Sequence, residues 1–258
     1  LSTVSFDLPR NVILPVDEID VRLDPGPHPF ERDNAQAITD NWRREVTANP
    51  ALFDGTVVLL SALAWRDNRI VGRCHAVKYS TFLLWRKNRQ GTGAEHAYGH
   101  AMLVAGDNAL VAIRMGAHTV PAGSVYFAAG SFEPIDFRDG RVDVDFNMIR
   151  EVREETGLDL TGAARGKRYH ALSTSTGTVL FRRYHVDAPA DEIARRIGAF
   201  VATETEPEIE GPVIIRHAAD LPEGLAPHMK PLVEWHFGGG GGCSAPPCGR
   251  CGRRRGTG

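Results

Sequence analysis

The chain has 258 residues, 42% of them hydrophobic and 24% charged, with a formal net charge of −2. That length can bury a full core, and the near-neutral balance gives no electrostatic reason to expect nucleic acid or an anionic membrane as a partner. No apolar run approaches the ~20 residues of a membrane span, and the opening "LSTVSFDLPRNVILPVDEIDVRLD" lacks the basic flank, apolar stretch and cleavage site of a secretory signal, so a cytoplasmic location is expected.

The first candidate helix lies in "ERDNAQAITDNWRREVTANP", where Ala37, Ile38, Trp42 and Val46 recur at helical spacing and Pro50 closes the run. "LFDGTVVLLSALAWRDNRIVGRCHAVKYS" reads as two strands joined by a turn at Asp67 and Asn68, with Cys74 a buried thiol in the second. "TFLLWRKN" is a short apolar helix; Tyr79, Phe82 and Trp85, at helical spacing, suit a core better than a base-stacking surface. "GTGAEHAYGHAMLVAGDNAL" is glycine-rich but lacks the lysine of a P-loop and the glycine spacing of a dinucleotide fold, and it reads as a loop within reach of substrate. The histidines show no HxxxH or HExxH spacing on a convincing helix, so surface or strand positions are expected for them. "ALVAIRM" and "SVYFAAG" read as strands on either side of a loop containing Pro121 and Gly123.

A helix from about Asp145 to Thr156 follows, stopped by Gly157. "RYHALSTSTGTVLFRRYHV" reads as a hairpin around Ser175 to Gly177, "ADEIARRIGAFVATE" as an amphipathic helix, and "GPVIIRH" as a strand. "LAPHMKPLVEWHF" reads as a last helix kinked near Pro231. Strands and helices mix without strict alternation, which argues α+β rather than a doubly wound parallel sheet. From Gly238 the composition turns to Gly, Pro, Cys and Arg, so 238–258 reads as a flexible tail. Its Cys243, Cys248 and Cys251, with no histidine nearby, fall short of a zinc pattern.

The stretch "REVREETGL", Arg150 to Leu158, concentrates the chemistry. On a helix Glu151, Glu154 and Glu155 reach one side, and such carboxylates repel unless positive charge lies among them. Arg150 and Arg153 could supply it, but a hard divalent ion suits carboxylate oxygen better. A solvated helix face is the plain alternative. The preceding "SVYFAAGSFEPID" shifts the balance, because it runs into Gly130 and an acidic loop that can add backbone carbonyls and Asp136.

"REVREETGL" also matches, at every specified position, the second half of the Nudix signature, REUxEExGU with U aliphatic. The first half, Gx5E, resembles Gly130 to Asp136 with an acid one methylene shorter. The spacer to Arg150 is longer than the standard one, "FRDGRVD" reading as a looped-out turn at Asp139–Gly140. The usual PGG is "AAG", which would leave a metal-facing carbonyl to Ala129. The likeness runs over roughly Phe30 to Trp235, and its N-terminal part resembles the UDP-glucose pyrophosphatase branch.

The resemblance implies a Nudix-type mixed-sheet α/β/α sandwich with an N-terminal α/β extension. Residues 1–100 would form the extension, packed on or continuous with a core at 101–237. It implies hydrolysis of a nucleoside diphosphate linked to a group X, dependent on Mg²⁺ or Mn²⁺ and giving a nucleoside monophosphate and phosphorylated X. A nucleotide sugar such as UDP-glucose is the expected substrate, with ADP-ribose and coenzyme A as alternatives. Glu151, Glu154 and Glu155, with Asp136 and the Ala129 carbonyl, would hold the metal. Glu151 would be a ligand or an orienting base, Arg150 would hold the glutamates in place, and Gly130 would border the substrate. A base from outside the motif could be Glu208 or Glu210 of "ETEPEIEG", each explained as readily by a solvated loop, and Arg114 could meet a phosphate or simply lie on the surface. The competing class is a Nudix-fold module that binds a nucleotide without cleaving it, motivated by Asp136, the long spacer and the missing PGG. The expected partner is a small molecule, and apolar segments of the N-terminal region leave a homodimer open.

Overall fold

The computed structural model describes residues 6–89, 92–119 and 122–239. In chain order the elements are β1 (Ile13–Val16), β2 (Glu18–Asp24), α1 (Pro29–Asp33), α2 (Ala35–Ala48), β3 (Thr56–Arg66), β4 (Arg69–Lys78) and α3 (Tyr79–Lys87). Then come β5 (Ala97–Ala105), β6 (Leu110–Met115), β7 (Val125–Tyr126), a 3-10 turn at Pro134–Asp136, β8 (Phe137–Arg138), β9 (Arg141–Val142) and α4 (Val144–Thr156). The chain continues through β10 (Ala164–Arg165), β11 (Tyr169–Thr174), β12 (Gly177–Val186), α5 (Ala190–Val201), β13 (Ile209–Ile215) and α6 (Met229–Phe237).

Among the described residues the strands form two mixed sheets. One runs β1-β11-β12-β5-β6-β13, with β10 on β12 and β7 on β6; the other runs β3-β4-β2-β9-β8. The pairs β5–β12 and β2–β4 are parallel, the other named pairs antiparallel. The fold is α+β, as expected.

Side-chain alternation on the first sheet makes it the middle of a sandwich. On β5 and β6, Ala101, Leu103, Val111 and Ile113 share a core with Met148 and Val152 of α4 and Ile193 and Ile197 of α5. Their neighbours Met102, Val104, Leu110 and Ala112 face Met229, Leu232 and Val233 of α6. The first of these cores also takes in Val58, Leu60 and Leu63 of β3, so both sheets contribute to one apolar interior. The helices α1 to α3 cover a third cluster around Phe30, Ile38, Leu59, Phe82 and Trp85.

The halves are stitched in both directions. β1 leaves the N-terminal region to pair with β11, and the β8–β9 hairpin leaves the later region to pair with β2 at Arg22 and Arg141. That hairpin is the expected turn of "FRDGRVD": Asp139 and Gly140 both take positive φ, 50° and 73°, the backbone of a two-residue turn between twisted strands. The Arg141 guanidinium donates to the Ile19 carbonyl from Nη2 at 2.7 Å, so the extra residues are structural.

Several segments differ from expectation. "AEHAYGHAMLVAG" is β5, an inner strand of the first sheet, rather than a loop. Its small residues are what α4 needs, since a Cβ on Gly99 would lie 2.7 Å from Asn147 Oδ1 and 3.2 Å from Met148. "SVYFAAG" pairs only at Val125–Tyr126 before turning into the site. The first helix is broken at Asn34, and Ala37 is exposed, leaving Ile38 and Asn41 as its buried residues. Pro231 falls in the first turn of α6, where its missing N–H has no intrahelical acceptor to lose, so no kink arises there. His100 lies on β5, a strand position as expected, whereas His236 is buried on α6, and Cys74 is buried as expected and free. Cys243, Cys248 and Cys251 lie outside the described residues. No helix among those described is long and apolar enough to cross a membrane.

Candidate active site

The helix α4 starts on an Asp143 side chain that accepts from the Phe146 N–H at 3.0 Å, and it ends at Gly157, whose φ of 71° is left-handed. Val152 and Met148 dock it on the sheet, which turns Glu151, Glu154 and Glu155 towards an open cavity of about 490 Å³. Tyr126, Ala129, Gly130 and Ser131 form one wall, and Glu133 and the loop carrying Glu204, Glu206 and Glu208 also line it.

Arg150 organises the acids. It meets Glu151 at 2.7 Å and Glu154 at 2.8 Å, and grips Asp136 through Nε and Nη2, each at 3.2 Å. Asp136 is fully buried, and it also accepts from the Asn147 side chain and the Glu133 N–H, both at 2.9 Å. Its oxygens are taken. The sequence suggested Asp136 as a metal ligand; the structure makes it the anchor of Arg150 instead, a task its shorter side chain performs from the 3-10 turn. Burial works against the charge of Arg150, but Asp136, Glu151 and Glu154 outweigh it and raise its pKa.

Glu155 is buried and accepts from the Ala129 N–H at 3.0 Å. Burial and the neighbouring Glu151 carboxylate push its pKa well above the usual range, against the opposing pull of that hydrogen bond. Burial likewise raises Glu151 to about 7, with Glu154 and Asp136 adding repulsion and Arg150 offsetting part of it. A Cβ at position 130 would fall 2.0 Å from Glu151 Oε1, so any side chain there would displace that carboxylate.

The other expected site residues separate. Glu208 reaches the cavity, whereas Glu210 is exposed on β13 and does not line it. Arg114 donates to the carbonyls of Gly123 and Glu223 at 3.0 and 3.1 Å, holding two loops together rather than facing a phosphate. Glu133, Glu204 and Glu206 line the cavity without having been singled out. Asn147 was missed as well, although it lies four residues before Glu151 on the same helix face.

Among the described residues no three His, Cys, Asp or Glu side chains form a ready-made metal cluster. The donor chemistry nonetheless fits a hard divalent ion. Such ions commonly take one or two carboxylates and complete their shell with water and substrate phosphate. Buried Glu155 and partly buried Glu151, both with raised proton affinity, are the environment such a charge would relieve.

No family model and no curated protein matches the chain in sequence. Its fold is similar to that of the MutT protein from Methanosarcina mazei Go1, at 15% identity over 55% of this chain and 92% of that one, TM-score 0.38. It is also similar to a MutT NUDIX hydrolase from Burkholderia pseudomallei, at 18% identity over 54% and 96%, TM-score 0.35. A third likeness is to the NUDIX domain of NrtR from Shewanella oneidensis, solved with ADP ribose, at 11% identity over 59% and 94%, TM-score 0.35. At these identities and scores the likeness concerns the arrangement of elements over little more than half the chain and carries no argument about activity.

Proposed function

We propose that the acidic cavity hydrolyses the diphosphate linkage of a nucleoside diphosphate joined to a group X, with a divalent metal ion as cofactor. The observation that carries this reading is the convergence of Glu151, Glu154 and Glu155 on one cavity, around an arginine that Asp136 holds from behind. Glu151, Glu154 and Glu155 would hold Mg²⁺ or Mn²⁺, which when bound neutralises phosphate oxygens and makes bound water more acidic.

The chain's own residues have three tasks. Arg150 keeps Glu151 and Glu154 together through charge-assisted hydrogen bonds. Gly130 leaves the Glu151 carboxylate its space beside the wall. A carboxylate at the edge of the cavity, from Glu151 or from the Glu204–Glu208 loop, accepts the proton of the attacking water. The water oxygen bonds to phosphorus, the bridging P–O bond breaks, and the bridging oxygen leaves with the second phosphate. A nucleotide sugar such as UDP-glucose is the proposed substrate, and ADP-ribose and coenzyme A offer the same linkage.

Product release is measured across UDP-glucose, ADP-ribose, GDP-mannose and coenzyme A with Mg²⁺, Mn²⁺ or EDTA, beside Glu154→Gln. The Glu154 side chain is 57% exposed, so this variant keeps the fold. Metal-dependent release of UMP and glucose 1-phosphate, at least ~100-fold lower in the variant, is the expected result. Saturable nucleotide binding without turnover would favour the non-catalytic module, a reading to which the pairing of Glu151 and Glu154 with Arg150 lends some support.

A further inference from the structure

A second cavity, of about 510 Å³, adjoins the acidic one, with Tyr126, Ala129, Gly130 and Ser131 lining both. An extended ligand with its diphosphate among the glutamates would therefore reach this space without leaving the protein surface. Its walls are rings. His96, Tyr98 and His100 fall at every second position along β5 and its approach, with His96 stacked on Tyr98 at 5.2 Å and 23°. His228, which immediately precedes α6, closes on His100 at 5.1 Å and on Tyr98 at 5.7 Å. Tyr79 and Phe82 complete the wall from α3, and Arg86 and Arg89 stand on the same helix and just beyond it.

Among the described residues, two ring nitrogens here are buried without a partner, Nδ1 of His100 and Nε2 of His228, and His100 is only 1% exposed. Leaving such atoms unpaired is costly, so they mark a place where a ligand atom belongs. Burial lowers the pKa of His100 well below its ordinary value, that of His96 to about 3 and that of His228 to about 4. All three rings are therefore uncharged near neutral pH, and each offers one N–H and one lone pair. Burial likewise raises Tyr98 to about 12, which keeps its hydroxyl neutral.

We propose that this cavity binds the nucleobase of the substrate, stacked on the Tyr98 and His96 rings and read at its polar edge by His100 and His228. The assignment rests on the reading of the acidic cavity as the diphosphate site. A base is flat, uncharged and bordered by ring nitrogens and carbonyls, so it matches both the aromatic walls and the unpaired imidazole nitrogens. The residues that choose the base thus come from α3, β5 and the approach to α6, outside the helix that carries the glutamates.

The test uses the full chain in EDTA, so that nothing is hydrolysed, and measures binding of UMP, AMP, ribose 5-phosphate and glucose 1-phosphate by calorimetry. At least one nucleotide is expected to bind about tenfold or more tighter than ribose 5-phosphate, with that difference abolished in Tyr98→Leu and in His228→Ala. His228→Ala is the second variant because it lies outside the sheet, and circular dichroism checks that both are folded. Equal binding of nucleotide and ribose 5-phosphate would overturn the proposal. So would no binding of any probe at millimolar concentration, or variants that weaken glucose 1-phosphate alone. The diphosphatase reading fails separately: a protein that prefers nucleotides in EDTA but never turns over with Mg²⁺ retains the base pocket and loses the reaction.

Discussion

Gly130 and Asp136 act through what they permit at Glu151 and Arg150. Gly130→Ala would drive a methyl group into the Glu151 carboxylate, whose long side chain can swing away, so the fold survives while the acid is displaced. Metal-dependent turnover should fall by about 100-fold, with a melting temperature close to wild type. Asp136→Asn breaks a buried pair and should cost on the order of 3 kcal/mol in denaturant unfolding, with activity falling in parallel as Arg150 loses its anchor. His28 offers a pH test far from the site. It is fully buried, its Nδ1 accepts from the Phe30 N–H at 3.0 Å, and its Nε2 meets the Leu60 carbonyl at 3.1 Å. These contacts need the neutral ring protonated on Nε2, and burial lowers the pKa from 6.5 to about 4 despite the pull of Leu60. The unfolded chain takes up a proton below 6.5 while the folded one does not, so the stability this ring contributes is intact above 6.5 and drains away towards pH 4. Between pH 7.5 and 4 the wild type should lose up to about 3 kcal/mol more than His28→Gln, measured by urea unfolding at each pH. Parallel stability curves for the two proteins would show that His28 is not held neutral.

At the scale of elements, α4 is specified at both ends. Asp143→Ala removes the side-chain cap and should cost about 1 kcal/mol. Gly157→Ala forces an L-residue to φ 71° and sets its Cβ 2.4 Å from the Phe200 ring, so its cost should exceed that of Asp143→Ala. Thermal unfolding ranks the two, and the reverse order would mean that the last turn of α4 yields easily. This helix was legible beforehand because the spacing of its carboxylates and its terminal glycine agree. The strand β5 was not, because Gly99, Ala101 and Ala105 look like loop residues until α4 is seen pressing on them. His96, Tyr98 and His100 share a face only because the segment is a strand, where every second residue points the same way.

Across the whole molecule, the exchange of β1 and of the β8–β9 hairpin between the two regions, together with one apolar core shared by both sheets, leaves no plane along which they could unfold separately. Calorimetry should therefore give a single transition with van't Hoff and calorimetric enthalpies in agreement, whereas two resolved transitions would mean that residues 1–100 fold as a unit of their own. What the sequence determined by itself was local: the α4 carboxylates at helical spacing, the glycine stop, the Asp139–Gly140 turn and the existence of most strands, because each depends on neighbours within one or two turns of chain. Tertiary structure decided which acids share a cavity. It turned Asp136 away from ligand duty to hold Arg150, drew Arg114 into a pair of loops, separated Glu208 from Glu210, and brought His228 onto a face of β5 more than a hundred residues earlier. Those outcomes depend on the long-range packing of sheet, helix and loop, and no residue's immediate neighbours carry that information.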